Sequence, residues 1–146
     1  MQADKEPTKR VLLDVNVCID LITNRLIPVK TKKSLFHSFI NQKTDVFVPA
    51  FSIDTIFYVL TNSLKLKAEI AKMAILNLLK YTRLLHTSDE SVQYAFTSGF
   101  SDFEDGLIES LAVLNNIDVI ITSNIKDFKK SKVSVYSPEE YIRMPQ

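Results

Sequence analysis

The chain has very little cysteine and glycine, and both shortages exclude classes of protein. It contains one cysteine and two glycines in 146 residues. The single Cys18 cannot form an internal disulfide, which is typical of a reducing compartment. It lies in an apolar run without a nearby histidine, so we interpret it as a buried thiol and not as a nucleophile. Gly99 and Gly106 cannot supply the Gly-x-Gly-x-x-Gly loop of a dinucleotide-binding site.

Long apolar runs and clusters of zinc ligands are absent as well. No stretch reaches the roughly 18 uninterrupted apolar residues of a membrane span, and no apolar signal region follows the polar N-terminus. One cysteine and two distant histidines do not make a zinc site. With 46% hydrophobic residues, the chain can bury a full core. We therefore expect a soluble cytoplasmic protein without membrane contact, folded as one domain over residues 1–146 with a flexible N-terminus at residues 1–9.

Negative charge is concentrated in one part of the sequence, although the net charge is only +1. Seven acids and no lysine or arginine lie between Leu84 and Ile125. Basic clusters lie on either side, the last of them at Lys126, Lys129, Lys130 and Lys132. Basic flanks beside an acidic site suit a substrate that has several phosphates, so the segregation gives weak support to a nuclease.

The most acidic stretch, Ser101–Ala112, has the pattern of a helix. Asp102, Asp105 and Glu109 stand three and four residues apart and therefore share one face. Two interpretations of this face are open: a solvated acidic surface, or carboxylates that bind a divalent cation. From this stretch alone we favour the solvated surface, and only partners elsewhere in the chain would reverse that preference. Apolar residues recur at helical spacing on another face, at Phe103, Leu107, Leu111 and Leu114.

Short apolar segments alternate with amphipathic helical segments along the chain. The helix that follows Ser88 is predicted to bury Val92, Ala95 and Phe96. Strands that alternate with helices indicate a parallel sheet covered on both faces. We predict a three-layer α/β/α fold with a central, mostly parallel sheet of four to five strands, formed by Val11–Leu13, Val46–Val48, Leu84–Leu85, Val119–Thr122 and Val133–Tyr136.

Polar residues stand at three places where one crevice could collect them. The carboxyl ends of buried parallel strands are where open α/β sheets hold their site residues. Gathered carboxylates bind one or two Mg²⁺ or Mn²⁺ ions, which can generate a hydroxide and stabilise the leaving oxygen in phosphodiester cleavage. Asn16 could hold the rotamer of Asp14, and Asp14 could instead cap the following helix. The three places are Asp14 with Asn16, Asp102 with Asp105, and Asn124 with Asp127.

At these residues the sequence resembles the PIN domain family of metal-dependent ribonucleases, which includes the VapC-type toxins of toxin–antitoxin pairs. The matching segments are Leu12–Val17, Asp102–Leu107 and Val119–Phe128, and the closing Tyr136–Tyr141 also resembles the family's ending. The resemblance spans nearly the whole chain. It implies the PIN-like α/β/α fold and a metal-dependent endoribonuclease, the toxin of a type II toxin–antitoxin pair.

Carried over residue by residue, the resemblance implies a site built on four acids. Asp14 would be the first metal ligand, oriented by Asn16. Asp105 would be the principal acid of the helix, with Asp102 beside it as a further ligand. Asp127 would lie in the last acidic loop and act through water. The implied cofactor is Mg²⁺ or Mn²⁺, the substrate is RNA, and the protein partners are an antitoxin and a second copy in a homodimer.

Two positions depart from the family's pattern because they lack an acid. Thr55 stands where many members have a glutamate, with Asp54 one step away on a different helix face. Asn124 stands where toxins often have an aspartate. Glu109, one turn further along the acidic helix, could compensate for the lost charge or be solvated. These departures motivate a second hypothesis, a catalytically weakened PIN-like domain that binds RNA or a protein partner.

Overall fold

A computed structural model describes residues 8–23 and 28–145 of the chain. Its strands are β1 (Arg10–Leu13), β2 (Asp45–Pro49), β3 (Arg83–Leu85), β4 (Val119–Ile121) and β5 (Ser134–Tyr136). These five strands form one sheet in the order β3-β2-β1-β4-β5, and every neighbouring pair is parallel. The prediction of a parallel sheet of four to five strands is confirmed.

Helices connect the strands and cover both faces of the sheet. With a helical layer on each side, the fold is the predicted three-layer α/β/α arrangement. None of the helices in the described part of the chain is long and apolar enough to cross a membrane. A π-helical turn at Val59–Ser63 extends the third helix, and a 3₁₀ turn at Ile125–Phe128 follows β4. The helices are α1 (Val15–Thr23), α2 (Val29–Asn41), α3 (Ser52–Tyr58), α4 (Ala68–Leu79), α5 (Asp89–Thr97), α6 (Phe103–Leu114) and α7 (Pro138–Ile142).

The central strand β1 is buried on both faces because successive side chains of a strand point in opposite directions. Val11 and Leu13 belong to the core that α1, α2, α3 and α4 form on one face. Leu12 belongs to a second core on the other face, with Ile108 and Leu111 of α6. Burying Leu12 stabilises the fold by about 1.5–3 kcal/mol relative to leaving it exposed. Both cores therefore fix their helices against the same strand.

The register of β1 and β4 determines which residues meet at the carboxyl edge of the sheet. Leu13 pairs with Ile121, so the next residues, Asp14 and Thr122, lie side by side. The backbone N–H of Asp14 donates a 3.0 Å hydrogen bond to the carbonyl of Ile121. Pairing of the two strands therefore continues up to the residue that follows β1.

Helix α6 begins after Asp102 and packs closely on α5. Oδ1 of Asp102 accepts a 3.0 Å hydrogen bond from the backbone N–H of Asp105, which caps the helix. Gly106 faces α5, and a Cβ at this position would lie 3.2 Å from the carbonyl oxygen of Ala95 and 3.3 Å from Oγ of Ser98. Because Gly106 has no side chain, the backbones of α5 and α6 can approach each other closely near the start of α6.

The N-terminal segment joins the sheet just before β1. Residues 1–7, most of the segment predicted to be flexible, lie outside the described residues. The carbonyl of Lys9 accepts a 2.8 Å hydrogen bond from the backbone N–H of Asp45. Its ammonium group lies 5.1 Å from the centroid of the Tyr141 ring, within the range of a cation–π contact. The described chain is therefore tied to the fold from Lys9 onward.

Candidate functional site

Asp14 lies at the carboxyl edge of the sheet and is only 4% exposed. Its Oδ1 accepts a 2.7 Å hydrogen bond from the backbone N–H of Val15. Its Oδ2 accepts a 2.8 Å hydrogen bond from the hydroxyl of Thr122. That hydroxyl in turn accepts a 3.1 Å hydrogen bond from the backbone N–H of Asn124. The carboxylate of Asp14 is therefore held at both oxygens.

The predicted partner of Asp14 is different from the observed one. The sequence predicts that Asn16 orients Asp14, but within the described residues no hydrogen bond joins the two side chains. The hydroxyl of Thr122 donates a hydrogen bond to the Asp14 carboxylate instead. Asp14 also has a contact with the start of a helix, as its alternative role predicts. Helix α1 begins at Val15, and the Asp14 carboxylate accepts a hydrogen bond from the first backbone N–H of that helix. One carboxylate can have this contact and belong to a site as well.

Asp127 and Asp102 act electrostatically on the buried Asp14, and all three of these acids act on Asp105. Burial raises the pKa of Asp14 most, the hydrogen bonds from Thr122 and Val15 lower it, and the charges of Asp127 and Asp102 raise it further. Burial also raises the pKa of Asp105 to about 7, with contributions in decreasing order from Asp102, Asp14, Asp127 and Glu104. The structure therefore brings the four predicted acids into one electrostatic cluster, which we call the acidic cluster.

Glu104 interacts electrostatically with the acidic cluster, although no role is predicted for it from the sequence. Burial raises its pKa, followed by the charges of Asp14 and Asp102. The available signal was its position in the first turn of the acidic helix, between Asp102 and Asp105.

Thr122 was also missed, although its position contained a usable signal. A hydroxyl directly after a buried strand is a hydrogen-bond donor at the edge where Asp14 lies. The strand register that brings the two together was not predicted, because periodicity defines the faces of a strand and not the alignment of its neighbours.

Glu109 lies outside the acidic cluster, contrary to the shared face predicted from its spacing. It is 1% exposed, and its carboxylate accepts hydrogen bonds from the hydroxyl of Ser131 (2.5 Å) and the backbone N–H of Lys132 (2.8 Å). Both suggested roles, a solvated acid and a compensating ligand, are therefore replaced by a structural one. Glu109 anchors the segment that follows the 3₁₀ turn.

Thr55, Asp54 and Asn124 contribute no carboxylate to the cluster. Asp54 is exposed on α3 and is not among the charges that shift the pKa of Asp14 or Asp105. Thr55 is half-buried in the same helix, and no hydrogen bond within the described residues joins it to the acids. Asn124 is exposed, and the contact it makes near the site comes from its backbone N–H to Thr122.

A cavity of about 250 Å³ opens beside the acidic cluster. Acids and lysines line it together, but the charges that shift the pKa of Asp105 are all negative. The carboxylates therefore repel one another, and among the described residues no cation lowers the pKa of Asp105. The ammonium group of Lys130 donates a 3.1 Å hydrogen bond to the carbonyl of Gly99. The charged residues that line the cavity are Asp102, Asp105, Asp127, Lys126, Lys129 and Lys130.

The donor atoms of the cluster suit a hard divalent cation. Carboxylate oxygens are the ligands that Mg²⁺ and Mn²⁺ prefer, and a cation would relieve the repulsion that raises these pKa values. Within residues 8–23 and 28–145, however, no three acidic, histidine or cysteine side chains form a group that could hold one ion. Mg²⁺ commonly binds through one or two carboxylates and keeps several waters, so this arrangement is compatible with it.

The fold and the acids at its carboxyl edge define a parallel, three-layer α/β/α protein with an acidic site. The sequence matches the model of the PIN domain over residues 10–126, and the chain therefore belongs to the PIN domain family. No curated protein sequence is similar enough to the chain to be matched.

Solved structures with the same fold include several toxin–antitoxin proteins. One is VapBC2 from Rickettsia felis, bound to a DNA fragment from its promoter. Its TM-score is 0.70 at 17% identity, and the match covers 88% of this chain and 98% of that one. A toxin–antitoxin complex from Klebsiella pneumoniae has a TM-score of 0.65 at 18% identity, covering 88% and 97%. VapC20 from Mycobacterium tuberculosis, a Sarcin-Ricin loop cleaving toxin, has a TM-score of 0.59 at 14% identity, covering 75% and 86%. At these identities the similarity concerns the fold.

Proposed function

We propose that this chain is a metal-dependent endoribonuclease that uses Mg²⁺ or Mn²⁺ and acts as the toxin of a type II toxin–antitoxin pair. The observation that supports this best is the acidic cluster: the charges of Asp127 and Asp102 raise the pKa of Asp14, and the charges of Asp102, Asp14 and Asp127 raise that of Asp105, in both cases in addition to the effect of burial. Membership of the PIN domain family supports the same activity, because PIN nucleases generally use divalent metal ions.

The acids have different roles in this proposal. Asp14, Asp102 and Asp105 are the proposed ligands of one or two ions, no single one of which need contact all three, and Asp127 would act through water. When bound, such an ion would supply the Lewis-acid chemistry that phosphodiester hydrolysis needs. The hydrogen bonds from Thr122 and Val15 hold the Asp14 carboxylate in one orientation, so little ordering is needed when a ligand arrives.

Asp105 has a second property that suits the proposal. Because its pKa is raised to about 7, the carboxyl group of Asp105 is partly protonated near neutral pH. A cation would favour the ionised form, so binding would release this proton. Asp102 ties the same residue to the helix start, because its side chain binds the backbone N–H of Asp105.

An antitoxin and a second copy of the chain are the proposed protein partners. The structural relatives include a toxin–antitoxin complex and VapBC2 bound to promoter DNA, and the proposal extends the first of these associations to this chain. The exposed apolar side chains of α4, Ile70, Met73 and Leu76, are candidates for contacts with such partners.

A catalytically weakened domain that binds RNA or a protein is the second candidate. It is favoured by the two positions that lack an acid, Thr55 and Asn124, and by the absence of a preformed group of three metal-binding side chains among the described residues. This candidate predicts tight binding of RNA or an antitoxin-like peptide and no turnover with either metal.

Cleavage of a mixed RNA panel tests the two candidates. The wild-type protein is assayed with Mg²⁺, with Mn²⁺ and with a chelator, beside Asp105→Asn and the matched variant Asp89→Asn. Asp89 is an exposed acid in the first turn of α5, outside the acidic cluster. Metal-dependent cleavage that is lost in Asp105→Asn and kept in Asp89→Asn supports the nuclease. A folded wild-type protein that cleaves nothing under any condition favours the weakened binding domain.

A further inference from the structure

A second cavity lies on the face of the sheet that α1, α2, α3 and α4 cover, whereas α6 covers the other face. Its volume is about 500 Å³, against about 250 Å³ for the cavity beside the acids, and the two have no lining residue in common. Small-molecule sites in proteins typically have volumes of about 300–1,000 Å³ and mostly apolar walls. The size of this second cavity, which we call the apolar cavity, is that of a small-molecule site.

Side chains from α2 and from two strands form the walls of the apolar cavity. Phe36 and Phe39 of α2 contact each other edge to face, with ring centroids 6.5 Å apart. The ring of Tyr81, which also lines the cavity, is 69% exposed and lies 6.3 Å from that of Phe36. Such walls bind an apolar group because its surface is removed from water. The apolar wall residues are Leu13, Phe36, Phe39, Ile40 and Val46.

Two polar residues that follow α2, Lys43 and Thr44, line one end of the apolar cavity. The backbone φ of Lys43 is 49°, in the left-handed region in which helices commonly end. Among the described residues that line the cavity, Lys43 is the one with a charge, and none of them is acidic. The lining therefore offers a positive charge to a ligand and no carboxylate that would neutralise it.

The hydroxyl of Thr44 is buried at this end, next to the hydroxyl of Tyr141, a residue that is only 2% exposed. Within the described residues, neither hydroxyl makes a hydrogen bond of good geometry. The two groups are neighbours, since burial raises the pKa of Tyr141 and the hydroxyl of Thr44 lowers it. The Tyr141 ring also lies 5.8 Å from that of Phe39. A ligand oxygen that accepts a hydrogen bond from Thr44 would leave the Thr44 oxygen free to accept one from Tyr141, so both buried hydroxyls would be satisfied.

We propose that the apolar cavity binds a small amphipathic carboxylate, with its hydrocarbon part between Phe36 and Phe39 and its head group at Lys43 and Thr44. A carboxylate accepts hydrogen bonds and donates none, which suits an ammonium group and a hydroxyl as donors. One lysine balances a single negative charge, so a monocarboxylate fits this end better than a phosphate ester, which has up to two charges at neutral pH. The inference concerns a site separate from the acidic cluster and does not depend on nuclease activity.

A tryptophan introduced into the lining would report on binding. The chain contains no tryptophan, so Tyr81→Trp has a single indole, and it lies in the apolar cavity. The matched variant Tyr58→Trp has its indole on α3, outside the lining, at a tyrosine that is 61% exposed. Octanoate, kept below the concentration at which it self-associates, should change the emission of Tyr81→Trp along a saturable curve and leave that of Tyr58→Trp unchanged. Equal changes in both variants would overturn the proposal.

Ligands that differ in length or charge test the two ends of the cavity separately, by calorimetric titration of the wild-type protein. Butanoate has the same head group and four methylenes fewer than octanoate, so it should bind about 100-fold more weakly. Octan-1-ol keeps the chain without the charge and should bind about tenfold more weakly than octanoate. Equal affinities for octanoate and butanoate would contradict the role of the apolar walls. Equal affinities for octanoate and octan-1-ol would contradict the role of Lys43.

Substitutions at Lys43 and Thr44 test the head-group end. Asparagine tolerates a positive φ, so Lys43→Asn removes the charge without straining the backbone. It should weaken octanoate binding about tenfold and leave octan-1-ol binding unchanged. Lys65 also has a positive φ, of 57°, but lies outside the lining, so Lys65→Asn is the matched control and should have no effect. Thr44→Val should weaken octanoate binding about tenfold, whereas Thr44→Ser keeps the hydroxyl and should bind normally.

Three further outcomes would show that the proposal is wrong. One is octanoate binding that is normal in both Lys43→Asn and Thr44→Val, and another is the absence of saturable binding to the wild-type protein at millimolar octanoate. The third is an emission of Tyr81→Trp that responds to protein concentration and not to octanoate, because a second copy of the chain would then cover the cavity. None of these measurements needs RNA or a metal, so their results are independent of the nuclease proposal.

Discussion

The hydroxyl of Thr122 donates a 2.8 Å hydrogen bond to Oδ2 of Asp14, and both residues are buried where neighbouring parallel strands end. The register of Leu13 with Ile121 aligns them. The same hydroxyl accepts a hydrogen bond from the backbone N–H of Asn124. One threonine thus connects the first acid of the cluster to the loop that leads to Asp127.

Thr122→Val should weaken metal binding by about 10–100-fold, because it removes a hydrogen bond that orients a proposed ligand. It should also raise the pKa of Asp14, since the Thr122 hydrogen bond lowers it. The expected loss of stability is about 1–3 kcal/mol, the cost of leaving buried polar groups unpaired. Calorimetric titration with Mn²⁺ measures the metal affinity, and urea unfolding measures the loss of stability. Thr122→Ser keeps the hydroxyl and is the control; equal losses in both variants would contradict the assigned role.

Asp105→Asn should stabilise the metal-free protein at neutral pH. The pKa of Asp105 is raised to about 7 in the folded protein, so the folded state keeps a proton that the unfolded chain has already released near its ordinary pKa of about 4. Stability from this group is full below about pH 4 and is lost as the pH rises towards 7. At pH 8 in the presence of a chelator, the Asp105→Asn variant should be more stable than the wild-type protein by on the order of 1 kcal/mol. This value already includes a reduction for solvent screening at the partly exposed side chain.

Thermal unfolding of the wild type and Asp105→Asn at pH 5 and pH 8 measures this difference. The advantage of Asn should be smaller at pH 5, where Asp105 is protonated in the folded protein. Asp89→Asn should show no comparable change between the two pH values. A larger advantage at pH 5 would contradict the electrostatic explanation.

Mg²⁺ or Mn²⁺ should raise the melting temperature of the wild-type protein, and a chelator should reverse the effect. A ligand that binds only the folded state stabilises it by about 2.7 kcal/mol at a concentration one hundred times its Kd. Asp14→Asn and Asp105→Asn should lose most of the shift. This measurement needs no RNA, and the same shift in all three proteins would place the metal elsewhere.

Glu109 and Ser131 should be energetically coupled. Glu109→Gln replaces one acceptor oxygen of a buried carboxylate with a donor and should cost about 1–3 kcal/mol of stability. Ser131→Ala removes the hydroxyl that donates to that carboxylate and should cost less. A double-mutant cycle by urea unfolding should give a coupling energy of at least about 0.5 kcal/mol. Strictly additive losses would mean that the two side chains stabilise the fold independently.

The layers of the fold were predictable because the strands are short, apolar and separated by helical patterns. Val119–Ile121 is a clear example, since an unbroken β-branched run of this length fits a buried parallel strand and little else. Helix starts also have local signals, since Ser88 and Ser137 both accept hydrogen bonds from the backbone of the helix that follows. These features depend on residues that are close in sequence.

The failures depend on partners that are distant in sequence. Glu109 has the spacing of a site residue, but Ser131 and Lys132, 22 and 23 residues further on, decide that it is buried and structural. Phe96 and Phe103 have the spacing of core residues, yet they contact each other at the surface. Periodicity identifies the faces of a helix, whereas the neighbour that covers each face is a property of the tertiary fold.

The bond between Asp14 and Thr122 joins residues that are 108 positions apart, which links the site to the order of synthesis and folding. A growing chain that ends before Thr122 can form neither this bond nor the edge of β4 beside it. Contacts of such long sequence separation form only after much of the chain entropy has been lost. The acidic cluster can therefore be completed only after the chain has been synthesised past Thr122 and Asp127, and a product that ends before them would lack it.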